Sequence, residues 1–197
     1  MAAILPQSFY ARDSLLVAES LLGMQLHCDG IVLRITEVEA YRHPNDTASH
    51  CRMGRTARNA PMWGPPGHAY VYLCYGLHHL LNLVTGDEGE GAAVLIRACE
   101  PVRGLSKLLE RRGATAVRPT LLTGPGKVGE ALGLTARTSG HCLFRPGGLT
   151  VREGPVPNGI VRGPRVGISY ASAEDQRAPW RLAIAGSEWV TERAGLK

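Results

Sequence analysis

The chain has 197 residues, 44% hydrophobic and 20% charged, with 24 glycines and 13 prolines; this composition suits one compact domain and excludes a disordered tail protein. No apolar run approaches the roughly 20 residues that span a bilayer, and residues 1–10 lack the basic start and apolar centre of a signal peptide, so a cytosolic protein without membrane contact is expected. The net charge of +5 permits a polyanionic partner without naming one; all but three of the 22 cations are arginines, forked donors suited to phosphate, although coding bias explains that skew equally well.

Asp13 can cap a helix whose apolar residues Leu15, Leu16, Ala18, Leu21 and Leu22 fall mostly on one side, with Gly23 as its stop. Asp29-Gly30 reads as a hairpin turn into a long strand, Ile31 to Tyr41. Simple alternation puts Ile31, Leu33, Ile35, Glu37, Glu39 and Tyr41 on one face, so two carboxylates continue an apolar row. From Arg42 to Gly67 the pattern breaks into prolines and glycines with Arg42, Arg52, Arg55 and Arg58 and one acid, Asp46. A loop this long in a compact domain is usually functional or disordered.

A second hairpin follows: Tyr70 to Cys74 rises, Tyr75 to His78 turns, and His79 to Val84 returns. The segment from Gly86 to Gly91 is an acidic turn, and Ala92 to Cys99 is a third strand that carries Arg97 between apolar neighbours. Leu105, Leu108 and Leu109 suggest a short helix, and Gly124-Pro125-Gly126-Lys127 leads into another, Val128 to Leu134. The rest holds short strands separated by Gly-Pro punctuation, and no composition break divides the chain. The expectation is one α+β domain over residues 1–197, built on a mainly antiparallel sheet.

The five cysteines are odd in number, scattered and without a C-x-x-C pair, which argues against a disulfide framework and a zinc knuckle. The pairs His27-Cys28, His50-Cys51 and His141-Cys142 match no metal-ligand spacing, so no metal is expected. Glu39 stands out because a carboxylate on the apolar side of a strand is desolvated, as a general base requires. The plainer reading is an ion pair of Glu37 or Glu39 with a buried arginine, Arg97 being the obvious partner, and the two readings are compatible. Tyr70 and Tyr72 could be core residues or walls for a flat ligand. Tyr75, at a hairpin tip before a glycine, is wasted on solvent unless it meets a partner such as a base stack. Gly124 to Lys127 offers a phosphate seat at a helix start but lacks the residues of a nucleotide-triphosphate loop. It also resembles the hairpin of helix-hairpin-helix proteins, without the catalytic Asp that glycosylases of that kind carry downstream.

Taken in order, Glu37-Val38-Glu39-Ala40-Tyr41, then Asp46, Ala48 and His50, Arg58-Asn59, Met62 and Pro66-Gly67, resemble the alkyladenine (3-methylpurine) DNA glycosylase family. Tyr70-Val71-Tyr72 with Tyr75-Gly76, Asn82, Ala93 to Ala98 with Glu100-Pro101, and Gly124 to Lys127 extend the resemblance. It runs from about Leu21 to Val190, in a chain whose short N-terminal end is that of bacterial members. It implies a curved antiparallel sheet with flanking helices and a protruding, DNA-intercalating hairpin, a fold similar to the domain appended to methionyl-tRNA formyltransferases.

The resemblance also implies excision of alkylated or deaminated purines (3-methyladenine, 7-methylguanine, hypoxanthine, etheno-adenine) from double-stranded DNA. The enzyme would act as a monomer, without metal, cofactor or lysine Schiff base. Glu39 then activates a water, Arg97 and the backbone near Ile168 help hold it, and Glu37 is structural. Tyr41 and Tyr72 sandwich the base, His50 hydrogen-bonds it, and Asn82 obstructs the amino group of normal guanine. Tyr75 fills the gap left by the flipped nucleotide, while Arg52, Arg55, Arg58, Lys127, Arg162 and Arg165 contact phosphates. A purine with a fixed charge would gain about 0.5–2 kcal/mol between such rings. Two rival readings are a non-catalytic nucleic-acid-binding module of the same fold, and a soluble-sugar hydrolase using Glu37 and Glu39, which lie about 7 Å apart on a strand.

Overall fold

Two short helices, α1 (Gln7–Tyr10) and α2 (Ser14–Leu21), open the computed structural model, which describes residues 2–197. Helix α2 begins where its cap dictates, because the Asp13 carboxylate accepts from the Leu15 and Leu16 amides at 2.8 and 3.4 Å. It stops before Gly23, whose φ of +90° and 2.2 Å approach of a notional Cβ to the Pro155 carbonyl leave room for no other residue. Its buried stripe differs from expectation: Val17, Ala18 and Leu21 face inward, whereas Leu16 is 56% exposed. A stripe set by 17, 18 and 21 leaves residue 16 off the packed side of a 3.6-residue helix.

Eight strands follow: β1 (Gln25–Cys28), β2 (Ile31–Tyr41), β3 (Ala69–Cys74), β4 (His78–Thr85), β5 (Ala92–Arg103), β6 (Thr150–Arg152), β7 (Ile160–Gly163) and β8 (Arg181–Ile184). They make one curled sheet in the order β3-β4-β5-β2-β1-β6, with β8 joined to β2 and β7 to β8. Each pairing is antiparallel, as expected. Strand β2 is the hub. One edge lies along β5, while the other takes β1 over Ile31–Arg34 and then β8 over Glu37–Glu39.

The simple alternation expected along β2 does not hold. The pairing with β5 slips between Ile35 and Glu37, and slips back between Glu37 and Val38 where Arg97 is the unpaired residue. Each bulge inserts one residue and so exchanges the two faces. Accordingly Ile31, Leu33 and Ile35 share the main core with Val38 and Ala40, not with Glu37, Glu39 and Tyr41. The same exchange on β5 puts Val94, Ile96 and Cys99 in that core and turns Leu95 and Arg97 to the other side. The two carboxylates therefore do not interrupt the main core; the bulges aim them away from it.

Helices α3 (Leu105–Arg111) and α4 (Pro125–Ala131) close the core side, and α5 (Ala173–Arg177) precedes β8. Helix α4 starts three residues earlier than expected, with Pro125 in its first turn. Its glycines answer to packing. A Cβ on Gly126 would lie 2.7 Å from the His78 ring, and one on Gly129 would lie 2.0 Å from the His79 carbonyl, so α4 presses its backbone onto β4.

The segment 42–67 is ordered by two buried polar side chains together with Ala48, Cys51 and Met62, which pack in two small apolar clusters. Asp46 accepts from the Arg42 and Ala48 amides at 3.2 and 3.0 Å. Asn59 donates to the His50 and Gly54 carbonyls at 2.8 and 2.9 Å and accepts from the Thr56 amide at 2.7 Å. Among the described residues no helix is long and apolar enough to cross a membrane.

Candidate active site

On the face of β2 and β5 turned away from the main core lies a cavity of about 470 Å³, within the range of small-molecule sites. Glu39, Tyr41, His50, Tyr72, Tyr75, Asn82, Arg97 and Ile168 all line it. The structure thus brings together eight residues expected to act together, from six separate stretches of chain.

Glu39 is fully buried, and each of its partners is a donor. Oε1 accepts from the Val166 amide at 2.7 Å and lies 3.3 Å from an Arg97 nitrogen, while Oε2 accepts from the Tyr41 hydroxyl at 2.7 Å. A carboxylate offers about four lone-pair directions. Three are engaged, and the fourth, on Oε2, has no hydrogen-bond partner among the described residues. The backbone amide that reaches Glu39 belongs to Val166. The Ile168 side chain packs with Ala48 and Ala171 in a small cluster against Tyr41.

Arg97 lies 3.4 Å from Glu37 and 3.3 Å from Glu39, so the ion-pair reading of these residues holds for both carboxylates. Burial works against its charge, but Glu39 and Glu37 outweigh burial and keep the guanidinium protonated. Glu37 is anchored beneath the cavity by the Thr191 amide and hydroxyl at 2.7 Å and by Arg181 at 3.3 Å. Arg181 in turn donates to the Glu192 and Ala194 carbonyls at 3.1 to 3.2 Å. The C-terminal stretch therefore closes the ionic layer under Glu39. Nothing local in the sequence marked Arg181, Thr191 or Val166, whose partners lie 127 to 154 residues away.

Around this carboxylate stand aromatic rings. His50 meets Tyr72 edge-on at 4.4 Å and shares a 3.1 Å hydrogen bond between Nδ1 and the Tyr70 hydroxyl. Burial, with Arg58 and Arg52 nearby, lowers the His50 pKa and favours neutral imidazole, leaving Nε2 for a ligand whichever tautomer is present. Tyr70, stacked on Tyr72 at 5.5 Å, has its hydroxyl pushed up to about 12 by burial. Tyr41 is raised well above the usual tyrosine value by burial and by Glu39, so it remains a donor to that carboxylate. Asn82 is held by its donation to the Tyr70 carbonyl at 3.1 Å.

Tyr75 sits in the three-residue turn between β3 and β4, 91% exposed and at φ +50°, beside Leu77 at 76% exposure. A bulky side chain in the left-handed region is strained, and this one gains no burial in return.

The cationic residues divide. Arg52, Arg55 and Arg58 are exposed on the loop beside the cavity, with Arg52 over Tyr170 at 5.1 Å and Arg58 over Tyr72 at 5.9 Å. Lys127 is half-buried on α4. Two expectations need correction. Arg165 cannot reach a phosphate: its side chain is fully buried and forks onto Asp46 at 2.7 and 2.8 Å. Arg162 is engaged by Glu19 of α2 at 2.7 Å, and α2 packs on the core side of the sheet. Asp175 binds the Thr47 amide and hydroxyl and fastens the wall containing Ile168 to the loop. Among the described residues no group of three or more His, Cys, Asp or Glu could hold a metal ion.

A buried, donor-held carboxylate among aromatic rings and beside an arginine-bearing loop is an arrangement suited to hydrolysis. The model of the methylpurine-DNA glycosylase family matches residues 8–188. A Nitrosococcus oceani protein named "Putative 3-methyladenine DNA glycosylase" is 60% identical over all of this chain and 98% of its own length. The DNA-3-methyladenine glycosylase of Arabidopsis thaliana is 53% identical over 95% of this chain and 74% of its own. An archaeal relative from Methanocella arvoryzae is 44% identical over 97% of each chain. The chain belongs to the methylpurine-DNA glycosylase family and is a hydrolase of N-glycosyl bonds.

Proposed function

We propose that this enzyme excises purines damaged by alkylation or deamination, 3-methyladenine, 7-methylguanine, hypoxanthine and etheno-adenine, from duplex DNA in a nucleotide flipped into the cavity. The observation that carries the reading is Glu39 itself, a carboxylate with donors at three of its four acceptor positions, lining the cavity among the aromatic walls. There Glu39 takes a proton from water as the water oxygen bonds to the anomeric carbon. The glycosidic pair leaves with the purine, a step for which a positioned base contributes about 10²–10⁴-fold. No lysine lines the cavity, which supports water over an amine as nucleophile. Tyr41 and Tyr72 stack on the base, His50 Nε2 hydrogen-bonds it, and Asn82 disfavours normal guanine by obstruction. Arg52, Arg55, Arg58 and Lys127 contact the DNA backbone, and the enzyme acts as a monomer in the cytoplasm.

A gel assay on duplexes carrying one lesion each tests the reading. Release of the purine and an alkali-labile abasic site are expected, and failure on all four lesions overturns it.

Tyr75 enters the stack vacated by the flipped nucleotide, which accounts for its strain and exposure. Base-on-aromatic stacking is worth about 1–3 kcal/mol, so Tyr75→Ser should weaken binding to an abasic-site analogue by roughly 5- to 150-fold. Its melting temperature should be unchanged or slightly raised, since Ser carries less strain at positive φ. Unaltered affinity removes the wedge role.

A further inference from the structure

We propose that Arg165 sets the enzyme's selectivity against purines of fixed positive charge, by holding a guanidinium against the back of the stacking residue Tyr41. The proposal rests on the reading of the cavity as a purine pocket. The Arg165 guanidinium lies 4.7 Å from the Tyr41 ring centroid and 4.8 Å from that of Trp180, so it is layered between two aromatic rings. Its edge is fixed by the fork onto Asp46 and by a 2.9 Å bond to the Ala40 carbonyl. Arg165 does not line the cavity whereas Tyr41 does, so a ligand meets the side of Tyr41 that the guanidinium leaves free.

A cation on one side of a ring draws π density toward itself and leaves the other side poorer. Arg58, which itself lines the cavity 5.9 Å from the Tyr72 centroid, adds positive charge at the opposite wall. Between such walls a cationic purine loses part of the attraction that bare aromatic rings would offer, and it meets the Arg165 and Arg58 charges in addition to the Glu39–Arg97 pair. A neutral purine carries no such penalty. Asp46 offsets the Arg165 charge in part, so the two members of the pair act on selectivity in opposite directions.

The test uses the intact chain under single-turnover conditions on two duplexes that differ only in the lesion, 7-methylguanine (cationic) or hypoxanthine (neutral). The readout is the ratio of their excision rates. The Asp46→Asn/Arg165→Met pair removes both charges without stranding either, and the ratio should rise in favour of 7-methylguanine by roughly two- to thirtyfold. Asp46→Asn alone leaves the guanidinium unopposed, and the ratio should fall below that of the wild type. Either variant that retains a cooperative melting transition decides the matter by its sign. Equal losses on both lesions would reduce Arg165 to a packing role and overturn the proposal, as would a shift of the wrong sign. A wild type that releases neither base instead refutes the purine-pocket reading itself.

Discussion

Replacing Glu39 by Gln is expected to leave a folded protein that releases damaged purines about 10²–10⁴ times more slowly. The amide is isosteric and its oxygen can still accept from the Val166 amide, now at 2.7 Å. Its nitrogen can donate to the Tyr41 hydroxyl, which accepts as well as donates. What it cannot do is take a proton from water at neutral pH. Removing the charge also leaves Arg97 with a carboxylate partner, because Glu37 lies 3.4 Å away, so no buried cation is stranded and the melting temperature should stay within a few degrees. Affinity for an abasic-site analogue should persist. The rate is read by single-turnover base release, and full activity in Glu39→Gln would assign the base to another group.

Arg97→Met should have the largest effect on stability. With Arg97 gone, Glu37 keeps Arg181 at 3.3 Å and three bonds from Thr191. Glu39 keeps only two neutral donors, the Val166 amide and the Tyr41 hydroxyl. The stranded charge is therefore that of Glu39, and breaking one side of a buried ion pair costs about 3–5 kcal/mol. For a chain of this size the melting temperature should fall by roughly 6–20 °C.

The double variant Arg97→Met/Glu39→Gln lacks the stranded carboxylate and should recover most of the loss at neutral pH, a coupling that calorimetry measures in a double-mutant cycle. A double variant no more stable than Arg97→Met would place the cost in lost packing rather than charge.

Glu39, Arg97, Tyr72 and Tyr75 drew notice as residues, a carboxylate and an arginine in apolar rows and aromatics in a hairpin, whereas Tyr41, His50 and Asn82 stood out only through the resemblance to the glycosylase family. Strands β3, β4 and β5 lie side by side and β2 pairs with β5, which brings these residues to one cavity. Asp13 and Gly23 were legible for a more local reason, since a cap and a stop act within three residues of themselves. The faces of β2 were misread. Alternation assumes an unbroken ladder, and the slips beside Glu37 and Arg97 are properties of two strands together. Arg165 was misread for a related reason. Whether an arginine meets phosphate or a buried aspartate depends on what the fold brings to it, here Asp46 from 119 residues away.

By itself, then, the sequence determined most strands and turns and the cap of α2, because those depend on neighbours within a few residues, while the acid, the rings and the wedge were singled out with the help of the family resemblance. Only the tertiary structure decided which face each carboxylate takes and which arginines are free. It also supplied the Val166 amide that holds Glu39 and the Thr191 and Arg181 anchors that hold Glu37 beneath it. Bulge placement, burial and charge pairing are set by groups more than a hundred positions apart in the chain, whose meeting no local pattern records.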